Sequence, residues 1–386
     1  MKRLLVIDSS VAAKSPAMRG WLAAASKILP QRFDEVEVWS FTCELEEDWV
    51  KWKKIYPVTS RWAIQSIFYE RAVRRMIAGL SPEYLAETLI QCTGTHLRRT
   101  DIRFIHFWNT AYAEAAAERP NSLRLSVLQK AVGCLIIREE RQALVRGNTG
   151  EWWCVSRGIA APILRDSPND IVVRYLPNSY NPERFNHRIR ERHRHEMRES
   201  LGFTDDEVVL GFSAFGHFER KGLRQAAQAV AELRAKGYPV RMLILGGRPT
   251  AIQSFRSAMS RQRIDTSGLH FAGLVNDMEK HLSAADAFFM PSHFEAFSLA
   301  EIEAAALGLR LYLTAHPGHE MILREGVNGR LLPWEPSGMA KILEEEIQCN
   351  VLGQTHHEMG EALVAETYAS TLAAHYDSAI VRKWGA

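Results

Sequence analysis

The sequence predicts an α/β protein of two doubly wound domains, and three observations carry that prediction. Apolar runs of strand length alternate with helix-length segments along the chain, the pattern of parallel sheets covered by helices. The 386 residues, 46% hydrophobic and 24% charged, suit two domains that each bury a core. A polar stretch bracketed by Pro177 and Pro182 divides the halves and reads as a linker.

In the first half, strands are expected at Leu4–Asp8, Glu35–Phe41, Ile102–Phe107, Leu123–Leu128, about Trp152–Ser156 and Ile171–Leu176, with a long helical insert between the second and third. In the second half they are expected at Val208–Ser213, Arg241–Gly246, Leu269–Phe271, Asp286–Met290 and Arg310–Thr314, at intervals that fit βα units.

Net charge is only +3, from 48 Lys and Arg against 45 Asp and Glu, so no global field draws the chain onto nucleic acid. Cys43, Cys92, Cys134, Cys154 and Cys349 lie too far apart for CxxC or metal-ligand spacing and read as reduced thiols of a cytosolic protein. The apolar run after Met1-Lys2-Arg3 is too short for a signal peptide, and no stretch approaches the ~18–20 apolar residues of a membrane span.

Two basic stretches need a reading of their own. Residues 184–198 carry six Arg and three His with interleaved glutamates, which favours a solvated first helix over a nucleic-acid arm. His187, His193 and His195 lack a carboxylate or Cys ligand at metal spacing. Between Lys51 and Arg75, seven basic residues face one acid and are interleaved with Trp52, Tyr56, Trp62, Phe68 and Tyr69. This mixture fits an amphipathic helix, either with its aromatics in the core or bearing on an anionic membrane surface, and single-stranded nucleic acid takes the same mixture.

The segment that carries most chemistry runs from Asp286 to Gly308. A buried strand ends at Pro291-Ser292, a loop holds Glu295, and a helix begins near Ser298, the corner where open α/β sheets take ligands. Ser298 with Glu301 spells a capping box, leaving the remaining first-turn amides and the dipole for an anion. Glu301 and Glu303 point to different faces, so only one can join Glu295 in accepting hydrogen bonds from a polyhydroxylated ligand. Upstream, Gly211 to Leu223 joins small residues to Arg220 and Lys221 before a helix, a combination suited to a diphosphate.

These motifs, taken together and in order, resemble the donor-binding domain of GT-B glycosyltransferases, the large retaining family 4, also called glycosyl transferases group 1. The resemblance covers about residues 170–335. It rests on Arg220-Lys221-Gly222-Leu223, the strand from Met242 to Gly246-Gly247, Phe271 to Asp277 leading to Ala284-Ala285-Asp286, and the pair Glu295 and Glu303. Gly318-His319-Glu320 and Glu325 to Gly329 extend it. It implies two Rossmann-like domains facing across a cleft: an acceptor domain over 1–177, a donor domain over 178–365, and a final helix, about 366–386, returning to the first.

The resemblance further implies a retaining, metal-independent transfer of a hexose-type sugar from a nucleotide diphosphate donor to a glycan or glycolipid hydroxyl, in bacterial surface polysaccharide or lipopolysaccharide synthesis. No cofactor is expected beyond that donor substrate, and no nucleic-acid partner. The place would be the cytoplasm, peripheral at the inner face of the membrane. Glu295, Lys221, Arg220 and, as the nearest histidine of the first half, His106 are the catalytic candidates. Gly216, Arg220, Lys221, Gly246, Phe297, Ser298, Leu299 and Glu303 would hold the donor. Gly216 stands where relatives commonly have Arg, so Arg220 would supply the second cation. Rival readings are a nucleotide-binding GT-B pseudoenzyme, a nucleotide-sugar epimerase and a disaccharide synthase.

Overall fold

The computed structural model describes residues 1–15, 17–56, 62–95, 97, 100–118, 127–145, 150–168, 170–355 and 363–385. The chain divides into two compact units, one of Met1–Glu114, Arg124–Ser179 and Ala362–Ala386, the other of Ala115–Leu123 and Tyr180–Glu361.

The strands of the first unit are β1 (Arg3–Ile7), β2 (Ser10–Val11), β3 (Glu35–Ser40), β4 (Thr42–Cys43), β5 (Val50–Lys54), β6 (Thr88–Thr93), β7 (Ile102–Ile105), β8 (Glu151–Cys154) and β9 (Val172–Tyr175). Among the described residues, seven of them form one parallel sheet in the order β5-β3-β1-β6-β7-β8-β9, and β2 pairs with β4 beside it. Buried Leu4, Val6, Val36, Val38 and Phe104 supply the apolar floor of one face. The helix Ala365–Trp384 closes that face, and Tyr376 Oη there accepts from Trp21 Nε1 at 2.7 Å and donates to Gln91 Oε1 at 2.5 Å. Gly20 lets this helix pack closely, because a Cβ there would lie 3.0 Å from the ring of Tyr368.

Three expectations for this unit need correction. The segment between the second and third expected strands is not wholly helical: it holds β5, the helices Trp62–Ala78 and Pro82–Ala86, and β6 in the sheet centre. These strands escaped notice because β5 is an edge strand with four of its five residues exposed, and β6 is interrupted by the buried polar Gln91. The basic, aromatic stretch is therefore a strand followed by a helix and not one amphipathic helix; residues 57–61 lie outside the described residues. Of the expected strand Leu123–Leu128, residues 123–126 lie outside the described residues, and Val127–Val145 is a helix. A short apolar run cannot distinguish a strand from a helix start.

In the second unit the strands are β10 (Val208–Ser213), β11 (Val240–Leu245), β12 (Leu269–Gly273), β13 (Ala287–Met290), β14 (Arg310–Thr314) and β15 (Gly329–Leu332). They run parallel in the order β12-β11-β10-β13-β14-β15. All but β15 match the expected strands to within two residues at each end.

The arginine-rich stretch is the helix His187–Leu201, capped by the Asn186 side chain on Ile189 N–H and by left-handed Gly202. One side of it is solvated as expected, with Arg188, Glu191, Arg192, His195, Glu196 and Glu199 exposed, but the other is not. Arg190, Arg194 and Arg198, four residues apart, point inward together. Arg190 and Arg194 donate to the Ala285 carbonyl at 3.1 and 2.9 Å, and Arg198 to the Ala284 carbonyl at 3.1 Å. Asp286 takes Arg194 at 2.5 Å, Arg198 at 3.2 Å and the β10 amide of Val209 at 2.7 Å. The guanidinium groups thus tie the start of β13 to both the helix and β10.

Candidate functional site

The sheet of the second unit reverses its winding between β10 and β13, so the loops after these neighbouring strands flank the crevice where such sheets take ligands. Those loops are residues 214–222 and 291–298. They touch at Gly222, the left-handed residue before the helix Leu223–Ala235, where a Cβ would lie 1.9 Å from the Pro291 carbonyl oxygen. Only glycine permits that approach.

The contact is reinforced by charge. Arg220 Nη1 and Lys221 Nζ both donate to Glu295 Oε1 at 2.8 Å. Arg220 also donates to the Phe294 carbonyl at 2.8 Å, and its own carbonyl accepts from His293 N–H at 2.7 Å. Glu295 is buried, which alone would raise its pKa; the charges of Lys221 and Arg220 overcome this and hold it below the usual carboxylate value. It is therefore an ionised acceptor at neutral pH. Burial and the same two cations hold the His217 pKa down. The structure thus brings three of the four catalytic candidates into one ion cluster, with Arg220 and Lys221 bound to Glu295 and retaining further N–H donors for another acceptor.

Next to Glu295 the helix Leu299–Ala306 begins, and its first turn carries no side-chain cap. The expected capping box does not form. Glu301 turns into the core instead, where its Oε1 lies 3.2 Å from His316 Nε2 and both side chains are wholly buried. Ser298 Oγ is buried without a hydrogen-bond partner among the described residues. An uncapped first turn with a buried hydroxyl beside it is a place for an anion. Glu303 is buried further along the same helix, Phe297 is buried before it, and Leu299 is partly exposed at its start.

Gly246 ends β11 with φ +102°, and a Cβ there would lie 2.2 Å from the Ala214 oxygen, so this glycine lets the loop after β10 pack. Gly216, with φ +149°, has open space around it, and neighbouring Phe215 is 79% exposed. His106 belongs to the first unit, just past β7, with its ring 4.1 Å from that of Phe104. Burial pushes its pKa down to about 3, leaving a neutral imidazole whose Nε2 has no partner among the described residues. Sequence reasoning missed His316; its only signal was a histidine in the loop after β14.

Residues 206–348 match the family model described as glycosyl transferases group 1. A lipopolysaccharide core biosynthesis glycosyltransferase, LpsE, of Rhizobium meliloti (strain 1021) is 29% identical over 166 residues, 42% of this chain and 46% of that protein. The chain spans about half the length of the curated relatives it matches. Among solved structures, WaaG, a glycosyltransferase involved in lipopolysaccharide biosynthesis, superimposes with TM-score 0.70 at 15% identity, over 97% of this chain and 95% of that one. Anabaena HepE in complex with UDP and glucose superimposes with TM-score 0.65 at 16% identity, over 98% of this chain and all of that one. The fold is that of the GT-B glycosyltransferases on which the chain superimposes, and residues 206–348 are similar to the glycosyl transferases group 1.

Proposed function

We infer that this GT-B chain, bearing a group 1 glycosyl transferase domain, moves a hexose-type sugar from a nucleotide diphosphate donor to a glycan or glycolipid hydroxyl, with retention and without a metal. The observation that carries the reading is Glu295, a buried carboxylate kept ionised by two cations, next to an uncapped helix start. Such a corner matches a ligand that is part polyol and part diphosphate. Glu295 accepts the sugar hydroxyls, and Glu303, by carry-over from the second glutamate of the family motif, takes the ribose hydroxyls.

The difficult event in this chemistry is departure of the diphosphate. Arg220, Lys221 and the amides of Ser298 and Leu299 meet the charge that develops there, in positions fixed before the substrate arrives. No proton transfer is assigned to His106, because an imidazole with a pKa near 3 is a poor base at neutral pH. The roles of LpsE and WaaG in lipopolysaccharide synthesis support an acceptor in surface polysaccharide assembly. The test is incubation with UDP-, GDP- and ADP-glucose and a lipid-linked glycan acceptor, with the product's anomeric configuration read by NMR. Retained configuration with full rate in EDTA is expected. An inverted product or a strict Mn²⁺ requirement contradicts the reading, and binding without transfer or hydrolysis indicates a pseudoenzyme.

The basic, aromatic surface of the first unit is the proposed membrane contact. Lys51, Trp52, Lys53, Lys54 and Tyr56 are exposed on β5 and just beyond it, and Phe68, Arg71 and Arg75 are exposed on the helix Trp62–Ala78. Strand tail and helix enclose a cavity of about 210 Å³ floored by Ile55, Tyr69 and Ala72. Cations around an apolar recess suit anionic headgroups. No helix among the described residues is long and apolar enough to cross a membrane. Co-sedimentation with phosphatidylglycerol vesicles at low salt, lost in an Arg71→Glu/Arg75→Glu variant, is expected; no sedimentation contradicts the contact.

A further inference from the structure

The buried contact of Glu301 with His316 has no part in the roles above. Its Oε1 and Nε2 atoms lie 3.2 Å apart with both side chains fully buried, a close contact without hydrogen-bond geometry, and neither Glu301 oxygen nor His316 Nε2 has a hydrogen-bond partner among the described residues. Taking such groups out of water costs several kcal/mol per ion, and apolar residues of similar volume would pack as well or better. A cost of this kind points to a geometric role.

The geometry around His316 indicates which role. Gly318 N–H donates to His316 Nδ1 at 3.3 Å, which leaves Nε2 as the ring nitrogen that faces Glu301. The loop that follows His316 presses directly on the loop that carries Glu295. A Cβ at Gly318 would lie 2.8 Å from the Ala296 oxygen and 2.9 Å from Phe297 Cα. The Thr314 hydroxyl donates to the Ser292 carbonyl, fastening the start of the same loop. His316 also counts, after burial, Lys221 and Arg220, among the groups that act on the Glu295 carboxyl. His316 thus has Glu301 in contact and Glu295 within electrostatic reach.

We propose that His316 is a positioning residue for Glu295: anchored on Glu301, it holds residues 315–319 against residues 294–297 and sets the carboxylate for the sugar of the donor. The proposal rests on the reading of this corner as a donor site and specifies which half of the donor His316 serves. Glu295 meets the sugar, whereas the diphosphate and ribose are met by Arg220, Lys221, the helix start and Glu303. Loss of the pair therefore reduces affinity for a sugar-bearing nucleotide more than for the bare nucleotide.

The test compares binding of UDP, GDP and ADP with binding of their glucose conjugates, by calorimetry, in wild type, His316→Gln and the double variant Glu301→Met/His316→Leu. The double variant replaces the pair by apolar side chains and so avoids an unpaired buried acid. It is expected to melt at or above the wild-type temperature and bind the preferred nucleoside diphosphate within about twofold of wild type. Its affinity for the glucose conjugate is expected to fall at least about tenfold, with KM for that donor rising in step. His316→Gln, which keeps a donor facing Glu301, is expected to restore most of the difference. Equal discrimination between conjugate and bare nucleotide in wild type and double variant overturns the positioning role. Wild-type protein that binds no nucleoside diphosphate overturns the donor reading, and this proposal with it.

Discussion

The two large sheets handle charge differently at the edge where an open parallel sheet takes ligands. In the second unit, the corner between β10 and β13 gathers Glu295, Lys221, Glu301 and His316 at low exposure, with Arg220 partly exposed beside them. In the first unit, the corresponding edge gathers groups that are satisfied locally or neutral. Asp8, at the end of β1, is buried and accepts from Ser10 N–H at 2.7 Å, and burial raises its pKa. His106 is held neutral, and the cations Lys53, Lys54, Arg71 and Arg75 lie outside on the surface. Buried, oriented charge suits a ligand whose charged group never varies, such as a diphosphate. Exposed charge suits a surface that tolerates variety.

The largest expected effect tests whether buried charge organises the second unit. Arg198→Ala leaves Asp286 without its most buried partner and is expected to cost about 3–5 kcal/mol, read by urea unfolding. A loss below about 1 kcal/mol would place that unit's stability in its apolar contacts instead. Next, Lys221→Ala is expected to lower kcat about 10²–10³-fold with little change in melting temperature, because Arg220 still pairs with Glu295. Full turnover would remove Lys221 from the mechanism.

A smaller loss is expected in the first unit at a buried polar cluster that carries no charge. Tyr376→Phe leaves the indole N–H of buried Trp21 and the Gln91 side chain without their partner and should cost about 1–3 kcal/mol. The smallest effect is one of pH. His106 protonates near 6.5 when unfolded but only near 3 when folded, so the unfolded state binds the extra proton between these values and stability falls as pH falls through that window. Glu295 is shifted down, so its contribution is complete above the ordinary carboxylate value and is lost only as pH falls through its lower folded value. Between pH 6.5 and about 5, acid therefore weakens the first unit through His106 while leaving the Glu295 contribution intact. Trp334 is the only tryptophan between residues 180 and 361, so intrinsic fluorescence reports mainly the first unit. Its melting temperature should fall over this range in wild type and stay flatter in His106→Leu.

The same contrast explains what could be read without coordinates. Strands β10 to β14 are continuous apolar runs, and the Arg220-Lys221 and Glu295 motifs sit in the loops between them, so both fold and candidate site of the second unit were legible. Strand β5 was not, because an exposed edge strand of sequence Val-Lys-Trp-Lys-Lys has no buried face to betray it. The capping box was misread because the Ser298 and Glu301 spacing is local, whereas the partner that draws Glu301 inward, His316, is fifteen residues away across a strand. Arg190, Arg194 and Arg198 of the helix His187–Leu201 were misread for the same reason: their acceptors lie some ninety residues downstream.

The most direct test of the central claim, that the corner between β10 and β13 binds a nucleotide diphosphate sugar, is thermal stabilisation of the purified protein by UDP, GDP, ADP, CMP and their sugars, repeated with Glu303→Ala. One nucleotide family should stabilise the wild type, by about 2.7 kcal/mol at a concentration a hundredfold above Kd, and the shift should shrink in the variant. No shift with any nucleotide, or one unchanged by Glu303→Ala, would contradict the account.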